Sequence, residues 1–342
     1  MAARLFSLSR HLPLSLTSST PTHIPAQTAI FSVANTSKMT TLRTNNSHQE
    51  PPCTPAPWRE TFLTHIGDMK SPTFVLATLH PVAGSDAAAT NPTPSSLGVV
   101  PRARTCIYRG LWACLPPNKH NDCPKNPGIF ESDLPVFTTD ARMEKAAEIL
   151  DTAPQSPEHG STGGSVKGSG GGGPVEACFW AEEHGTQWRI RGTAWLIGPD
   201  IDGDQAKGVR DALLSRMRRE QKGTGEGDEK DWSWSKELTA HFANLSPMMR
   251  GSFRQPPPGT PRAYPKEEEV QTVGQPVDDL NDPVARENFR VVVIIPTEVD
   301  QCDLSDPKNP RRWMYYWRGA SYKTTHPGGE VVGEWEKVET WP

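Results

Sequence analysis

Short apolar runs rich in β-branched and aromatic residues recur along the chain, separated by polar, proline-rich or glycine-rich stretches. Such runs predict strands at 73–79, 100–109, 134–138, 175–182, 187–198, 289–295, 299–304 (after a kink at Pro296), 311–318 and 331–341. Short helices are predicted at 58–68, 141–150, 209–221 and 232–245, the first from apolar residues at helical spacing. Because strands and helices do not alternate, the pattern predicts a mainly β (α+β) fold, an antiparallel barrel with short peripheral helices.

Polar stretches interrupt this pattern, and we expect flexible insertions near 82–97, 152–174, 199–231 and 260–287. One of them contains a G-x-G-x-x-G match at Gly168 to Gly173. We reject it as a dinucleotide fingerprint, because no strand precedes it and a strand instead of a helix follows Pro174. The insertions fall between predicted strands, so a single domain over 53–342 accounts for the pattern.

Composition narrows the function classes. The net charge of −4 does not favour a nucleic-acid partner. No apolar run reaches the length of a membrane span. The six cysteines form no C-x-x-C pair and accompany no histidine cluster. We therefore expect no metal site, no dense disulfide framework and a reducing compartment.

The first fifty residues differ from the rest, since no acidic residue occurs before Glu50. Serine, threonine and scattered basic residues give residues 1–50 the composition of a transit peptide. A plain disordered tail is an equal alternative, and Met39 offers a second start. The sequence therefore predicts a disordered or transit-like segment and a mitochondrial or cytoplasmic protein.

Arginines cluster on the predicted strand 100–109. Alternation puts Arg102 and Arg104 on one face, with Arg109 on the other. Two arginines two positions apart repel each other unless an anion lies nearby, and guanidinium groups suit phosphate. The alternative is two arginines at the rim of an edge strand that pair with surface carboxylates.

The junction between strand 134–138 and helix 141–150 is a second candidate anion site. Thr139 or Asp140 is predicted to cap the helix, with Arg142 and Lys145 on one face of its first turns. Cations at a helix N-terminus oppose the helix dipole unless an anion binds there. The alternative is that both side chains point into water or pair with Glu144 and Glu148 of the same helix.

In this order, the segments resemble the pyridoxamine 5'-phosphate oxidase-like family of FMN-binding split barrels. The motifs are the Arg-led strand Arg104–Arg109, the strand and helix start from Phe137 to Lys145, the Gln-led strand from Gln187, and the late strands from Phe289 and Arg311. The resemblance covers most of 57–342. It implies an antiparallel split β-barrel of the FMN-binding type, and a homodimer, because the flavin of such folds usually lies at a dimer interface.

The resemblance also implies FMN as cofactor and assigns roles to individual residues. Arg104 and Arg109 would contact the phosphate or the isoalloxazine edge, Thr138 and Thr139 would line the flavin, Arg142 and Lys145 would hold the phosphate, and Gln187 would bond the ring. Arg312 is the one candidate for binding a substrate phosphate. No catalytic side chain is identified, consistent with a reaction carried by the flavin.

The chain departs from the true oxidases at two places. Ala-Arg-Met-Glu-Lys replaces a compact Ser-Arg-Lys, and Cys302 stands where those enzymes tend to carry an aromatic residue. The chain looks more like a divergent branch found in plants, fungi and cyanobacteria. We expect an FMN-dependent oxidoreductase. The alternatives are a non-catalytic flavin-binding sensor or carrier, and a related barrel for haem or a deazaflavin, with His184 as the haem candidate.

Overall fold

The computed structural model describes residues 54–81, 98–154, 167–220, 229–263, 267–320 and 322–342. Their strands are β1 (Thr73–Pro81), β2 (Val99–Leu111), β3 (Phe130–Ser132), β4 (Pro135–Asp140), β5 (Gly170–Ala181), β6 (Thr186–Ile197), β7 (Met217–Arg219), β8 (Phe289–Asp303), β9 (Arg311–Trp317), β10 (Glu330–Val332) and β11 (Trp335–Thr340). Their helices are α1 (Arg59–Asp68), α2 (Glu144–Asp151), α3 (Lys207–Leu214), α4 (Trp234–Ala243), α5 (Pro247–Gly251), α6 (Glu267–Val270) and α7 (Pro283–Asn288).

Six antiparallel strands close into a ring. The order β8-β4-β2-β1-β5-β6 returns to β8, because β8 pairs with both β4 and β6. On one edge of β8, β4 covers the first half and β9 covers the second. The sheet divides at that point, and β9, β11 and β10 extend it outward. This topology confirms the predicted fold class, a mainly β, antiparallel split barrel with short helices around it.

Aromatic side chains fill the interior of the barrel, as strand alternation requires. The inward residues of three adjacent strands are almost fully buried: Phe74, Leu76, Ala177, Phe179, Trp188 and Ile190. Phe62 of α1 packs edge-on against Phe179 and Trp188, with ring centroids 5.3 and 5.5 Å apart. Edge-to-face packing of this kind adds to the free energy gained by burying the rings.

The close packing of α2 against β5 requires a glycine at position 173. A Cβ at Gly173 would lie 2.3 Å from the carbonyl oxygen of Ile149 and 2.5 Å from Oγ1 of Thr152. Only a residue without a side chain lets the helix approach so closely. The strand therefore begins at Gly170, five residues before the predicted start, and the last part of the predicted insertion 152–174 belongs to the barrel.

Several predicted bounds are corrected. The helix predicted to reach residue 221 ends at Leu214, and β7 follows it. Within the predicted insertion 260–287 lie α6 and the start of α7. The predicted strand at 331–341 is a hairpin of β10 and β11. α3 and β7 also lie within the predicted insertion 199–231. Residues 82–97, 155–166, 221–228 and 264–266 of the predicted insertions, and the segment 1–50 with its targeting prediction, lie outside the described residues.

The predicted break at Pro296 is a bulge in a continuous strand. β8 runs from Phe289 to Asp303, and its register with β6 shifts between Arg191 and Gly192. Extra residues in one strand bend it without ending it. None of the described helices has the length and apolar composition needed to cross a bilayer.

Candidate functional site

A buried carboxylate organises the polar cluster where β1, β2 and α2 meet. Glu148 of α2 is 2% exposed and accepts a bond from Nη2 of Arg104 at 2.6 Å. The same carboxylate accepts Oγ1 of Thr78 at 2.5 Å and lies 3.0 Å from Nδ1 of His80. Arg104 also donates to Thr78. The charge of Arg104 is therefore matched inside the fold, and its guanidinium is held in one place.

Lys145 has spare bonding capacity in the same cluster. Its Nζ lies 3.4 Å from Oγ1 of Thr139 and 2.7 Å from Sδ of Met143. Within the described part of the chain, no carboxylate forms an ion pair with it. Burial lowers the pKa of the Lys145 ammonium, and the nearby Arg104 also lowers it, whereas adjacent acidic groups raise it. A mostly buried ammonium bonded to a hydroxyl and a thioether still has a donor for an anion.

Arg142 precedes α2, and the predicted cap is wrong. The helix begins at Glu144, and its N-cap Met143 makes no side-chain bond. Asp140 accepts the backbone N–H of Arg142 at 2.8 Å and binds its guanidinium at 2.9 and 2.7 Å. Arg142 also donates to the carbonyl of Phe253 at 3.2 Å. It therefore does not share a helix face with Lys145, since Asp140 holds it in the loop.

The two predicted threonines, Thr138 and Thr139, lie on opposite faces of β4. Thr139 is 4% exposed and belongs to the cluster through Lys145. Thr138 lies on the opposite face of β4, half-buried, with Val291 of β8 as its cross-strand partner. Strand alternation permits only one of two consecutive residues to face the cluster.

Gln187 and Arg312 lie on the outer face of the sheet, on either side of Cys302. Gln187 is paired with Cys302 of β8, and Cys302 with Arg312 of β9. Arg312 forms a two-point ion pair with Asp300, at 2.9 and 2.7 Å. The structure thus places these two predicted residues on one face, with β8 between them, and apart from the α2 cluster. Their roles toward flavin and substrate stay predictions.

Arg109 lies at the far end of β2. An offset of five residues puts it on the face opposite Arg104. Its side chain lines a cavity of about 500 Å³ that no other predicted site residue lines. Of the eight predicted site residues, the structure therefore groups Arg104, Thr139 and Lys145 together and leaves Arg109 elsewhere.

Sequence reasoning missed the partners that hold the cluster. The sequence predicts Glu148 only as a surface partner for Arg142 or Lys145, whereas it is buried against Arg104. The signal was its position three residues after Lys145 on a helix, which gives the two side chains one face. His184, the haem candidate, instead stacks on His65, with ring centroids 3.9 Å apart, and pairs with Asp68 at 2.8 Å. The described residues contain no group of three or more metal-ligating side chains.

Residues 55–198 match the family model described as pyridoxamine 5'-phosphate oxidase, FMN-binding domain. This span includes five of the six barrel strands, α2 and every predicted site residue except Arg312. No curated protein matches the chain.

Two solved structures are similar at low identity. A pyridoxamine 5'-phosphate oxidase-related, FMN binding protein from Nostoc punctiforme is 19% identical, with 84% of this chain and 100% of that chain covered and a TM-score of 0.48. PhzG from Burkholderia lata, in complex with tetrahydrophenazine-1-carboxylic acid, is 11% identical, with 83% and 87% covered and a TM-score of 0.32. The fold assignment rests on the strand topology described above.

The α2 cluster fits the phosphate end of FMN. Lys145 offers an unmatched ammonium, and Arg104 lies close enough to act on its pKa. The N-cap Met143 leaves the first N–H groups of α2 without a side-chain acceptor. Free N–H groups beside a cation are what a phosphate requires. Residues 55–198 therefore form an FMN-binding domain of the pyridoxamine 5'-phosphate oxidase type.

Proposed function

We propose that the protein is an FMN-dependent oxidoreductase whose use of the flavin resembles that of pyridoxamine 5'-phosphate oxidase. The observation that supports it is the unmatched Lys145 ammonium at the start of α2, inside the FMN-binding domain. Bound FMN would supply the redox chemistry, so the chain needs no nucleophile of its own.

The residues of the cluster bind and position. Lys145 binds the phosphate through its free donor, and Thr139 fixes the direction of the ammonium. Glu148 holds Arg104 against β1, so that its remaining N–H groups point in a set direction. Asp140 does the same for Arg142 at the end of β4. Groups held in this way lose little conformational entropy when an anion binds.

The test is an absorption spectrum of the purified protein, followed by anaerobic addition of pyridoxamine 5'-phosphate. Flavin absorption that bleaches on addition supports an oxidoreductase acting on a vitamin B6 amine. If pyridoxamine 5'-phosphate does not bleach the flavin absorption but dithionite does, this amine is excluded as the substrate. Flavin that no amine or nicotinamide donor reduces favours the sensor or carrier. A colourless protein that does not take up FMN contradicts the proposal.

We also propose that the protein is a homodimer. Val75, Ile107 and Trp180 lie on one outer face of β1, β2 and β5, and they are 45, 39 and 49% exposed. An exposed apolar patch on a soluble protein indicates an interaction surface. Light scattering should give twice the chain mass, and Val75→Lys, which puts a charge at the centre of the patch, should give the monomer.

A further inference from the structure

A cavity of about 500 Å³ opens between α1, the end of β2 and the end of α4. Most of its wall is apolar, with Leu63 and Ile66 from α1 and Leu245 from the segment after α4. Cavities of this size and character hold small organic ligands in other proteins. The α2 cluster contributes no residue to its lining.

Two polar atoms in this wall have no partner. Oη of Tyr108 and Nε of Arg109 are buried, and neither finds a hydrogen bond or an ion pair among the described residues. Nε2 of His241 also lacks a hydrogen bond, but Oε1 of the buried Glu237 lies 3.7 Å from it. Folded proteins pair nearly all of their buried polar atoms. Two unpaired atoms in the wall of one cavity indicate that a ligand completes them.

The charge on Arg109 is also unbalanced. Burial lowers the pKa of the Arg109 guanidinium, and no acidic group in the described part of the chain raises it. The other cation in the wall, Arg59, is neutralised by Asp133, with Nε and Oδ1 2.7 Å apart. A half-buried guanidinium without a counter-ion favours an anionic ligand group.

The residues that line the far wall, His241, Asn244 and Leu245, carry no charge at pH 7, and the nearby Glu237 lies behind His241 and outside the lining. Burial lowers the pKa of His241 to about 3, so the imidazole is neutral at pH 7. It stacks on Trp112, with ring centroids 5.6 Å apart and planes 2° apart. A neutral ring on an aromatic neighbour accepts or donates one hydrogen bond and does not attract a second charge.

We propose that this cavity binds a small organic molecule with one anionic group and a flat apolar body. The anionic group lies on Arg109 and the hydroxyl of Tyr108, the body packs against Leu63 and Ile66, and a polar edge reaches His241. The site goes beyond the proposed redox function, because it depends on neither flavin binding nor turnover.

The experiment titrates the full chain, saturated with FMN so that the α2 cluster is filled, with phenyl phosphate and with neutral benzyl alcohol. Phenyl phosphate is expected to bind at least tenfold more tightly than benzyl alcohol, since a charge-assisted pair on a guanidinium is worth about tenfold or more. Arg109→Gln should remove that preference. The matched control Arg102→Gln changes an exposed arginine of the same strand and should leave it intact.

A second variant keeps the test decisive if Arg109→Gln does not fold. Leu63→Trp fills the cavity without changing its charge and should abolish the binding of both probes. Equal affinity for the two probes overturns the proposal, as does unchanged phenyl phosphate binding in Leu63→Trp. Loss of binding in Lys145→Ala with retention in Arg109→Gln also overturns it, because the probe then occupies the α2 cluster. Titrations without FMN separate these results from a failure of flavin binding.

Discussion

The two ends of β2 use arginine in opposite ways. Arg104 forms an ion pair with the buried Glu148, which fixes its position, whereas Arg109 lines a cavity and has no counter-ion among the described residues. Both belong to one short motif, and an offset of five residues sends them to opposite faces of the strand. The comparison teaches that a sequence motif can supply two different sites. Its basic residues need not converge on one ligand.

The largest expected effect on stability comes from breaking the ion pair between Arg104 and Glu148. Glu148→Ala leaves Arg104 buried without its partner, and should lower the free energy of unfolding by about 3–5 kcal/mol. Chemical denaturation measures this value. Glu144→Ala, at an exposed position of the same helix, should change it by less than about 1 kcal/mol. Equal effects of the two substitutions would show that Arg104 does not depend on Glu148.

Removing Lys145 tests whether the cluster still has capacity for an anion. Lys145→Ala should weaken FMN binding by about 1.5–3 kcal/mol, roughly 10- to 100-fold in Kd, because a charge-assisted bond to phosphate is lost. Flavin fluorescence titration gives the affinity. The control Lys207→Ala removes an exposed lysine paired with Asp211 and should leave Kd unchanged. Unchanged flavin content in Lys145→Ala would exclude Lys145 from the phosphate site.

The free energy of unfolding should depend on pH through His241, which lines the cavity at the end of β2. His241 has a pKa of about 3 in the fold, against about 6.5 in an unfolded chain, so the unfolded state binds the extra proton first. Its contribution to stability is present above pH 6.5 and is lost as the pH falls toward 3, by roughly 2 kcal/mol at pH 5. Denaturation at pH 7 and pH 5 should show a shallower dependence in His241→Gln. An identical dependence in the two proteins would mean that His241 is already protonated in the fold.

The smallest expected effect is at Arg109 itself. Arg109→Gln removes a half-buried charge that has no counter-ion, so stability should stay unchanged or rise by up to about 1 kcal/mol. Arg104→Gln, which breaks a buried pair, should lower it clearly. Thermal unfolding of the two variants side by side makes the comparison. A loss of stability in Arg109→Gln like that in Arg104→Gln would show that both arginines are structural.

Most strands of the barrel could be predicted from the sequence, because runs such as FRVVVII leave few alternatives to a buried strand. The family resemblance also assigned Arg104, Thr139 and Lys145 to one flavin site. It did not give the burial of Glu148, which depends on how α2 packs against Thr78 and His80 of β1. Local charge patterns favour a glutamate in water, and only the tertiary contact reverses that preference.

The separation of Arg109 from Arg104 could be predicted from the sequence. Strand alternation places the two on opposite faces, whereas the family resemblance assigns both to the flavin. The cavity beyond it was not foreseeable, since its wall combines α1, β2 and the end of α4, which are distant along the chain. A single histidine such as His241 carries no local signal of burial.

The late position of β8 has a consequence for synthesis on the ribosome. The strands up to β6 emerge first, yet β4 and β6 cannot complete their pairing until the chain from Phe289 onward has been made. During that interval the edges of both strands expose free N–H and C=O groups, the kind of edge on which chains aggregate. A product truncated after Gly198 would keep the matched residues 55–198 and lose β8, the strand that closes the barrel. We therefore expect such a fragment to require a chaperone, or to precipitate, where the full chain remains soluble.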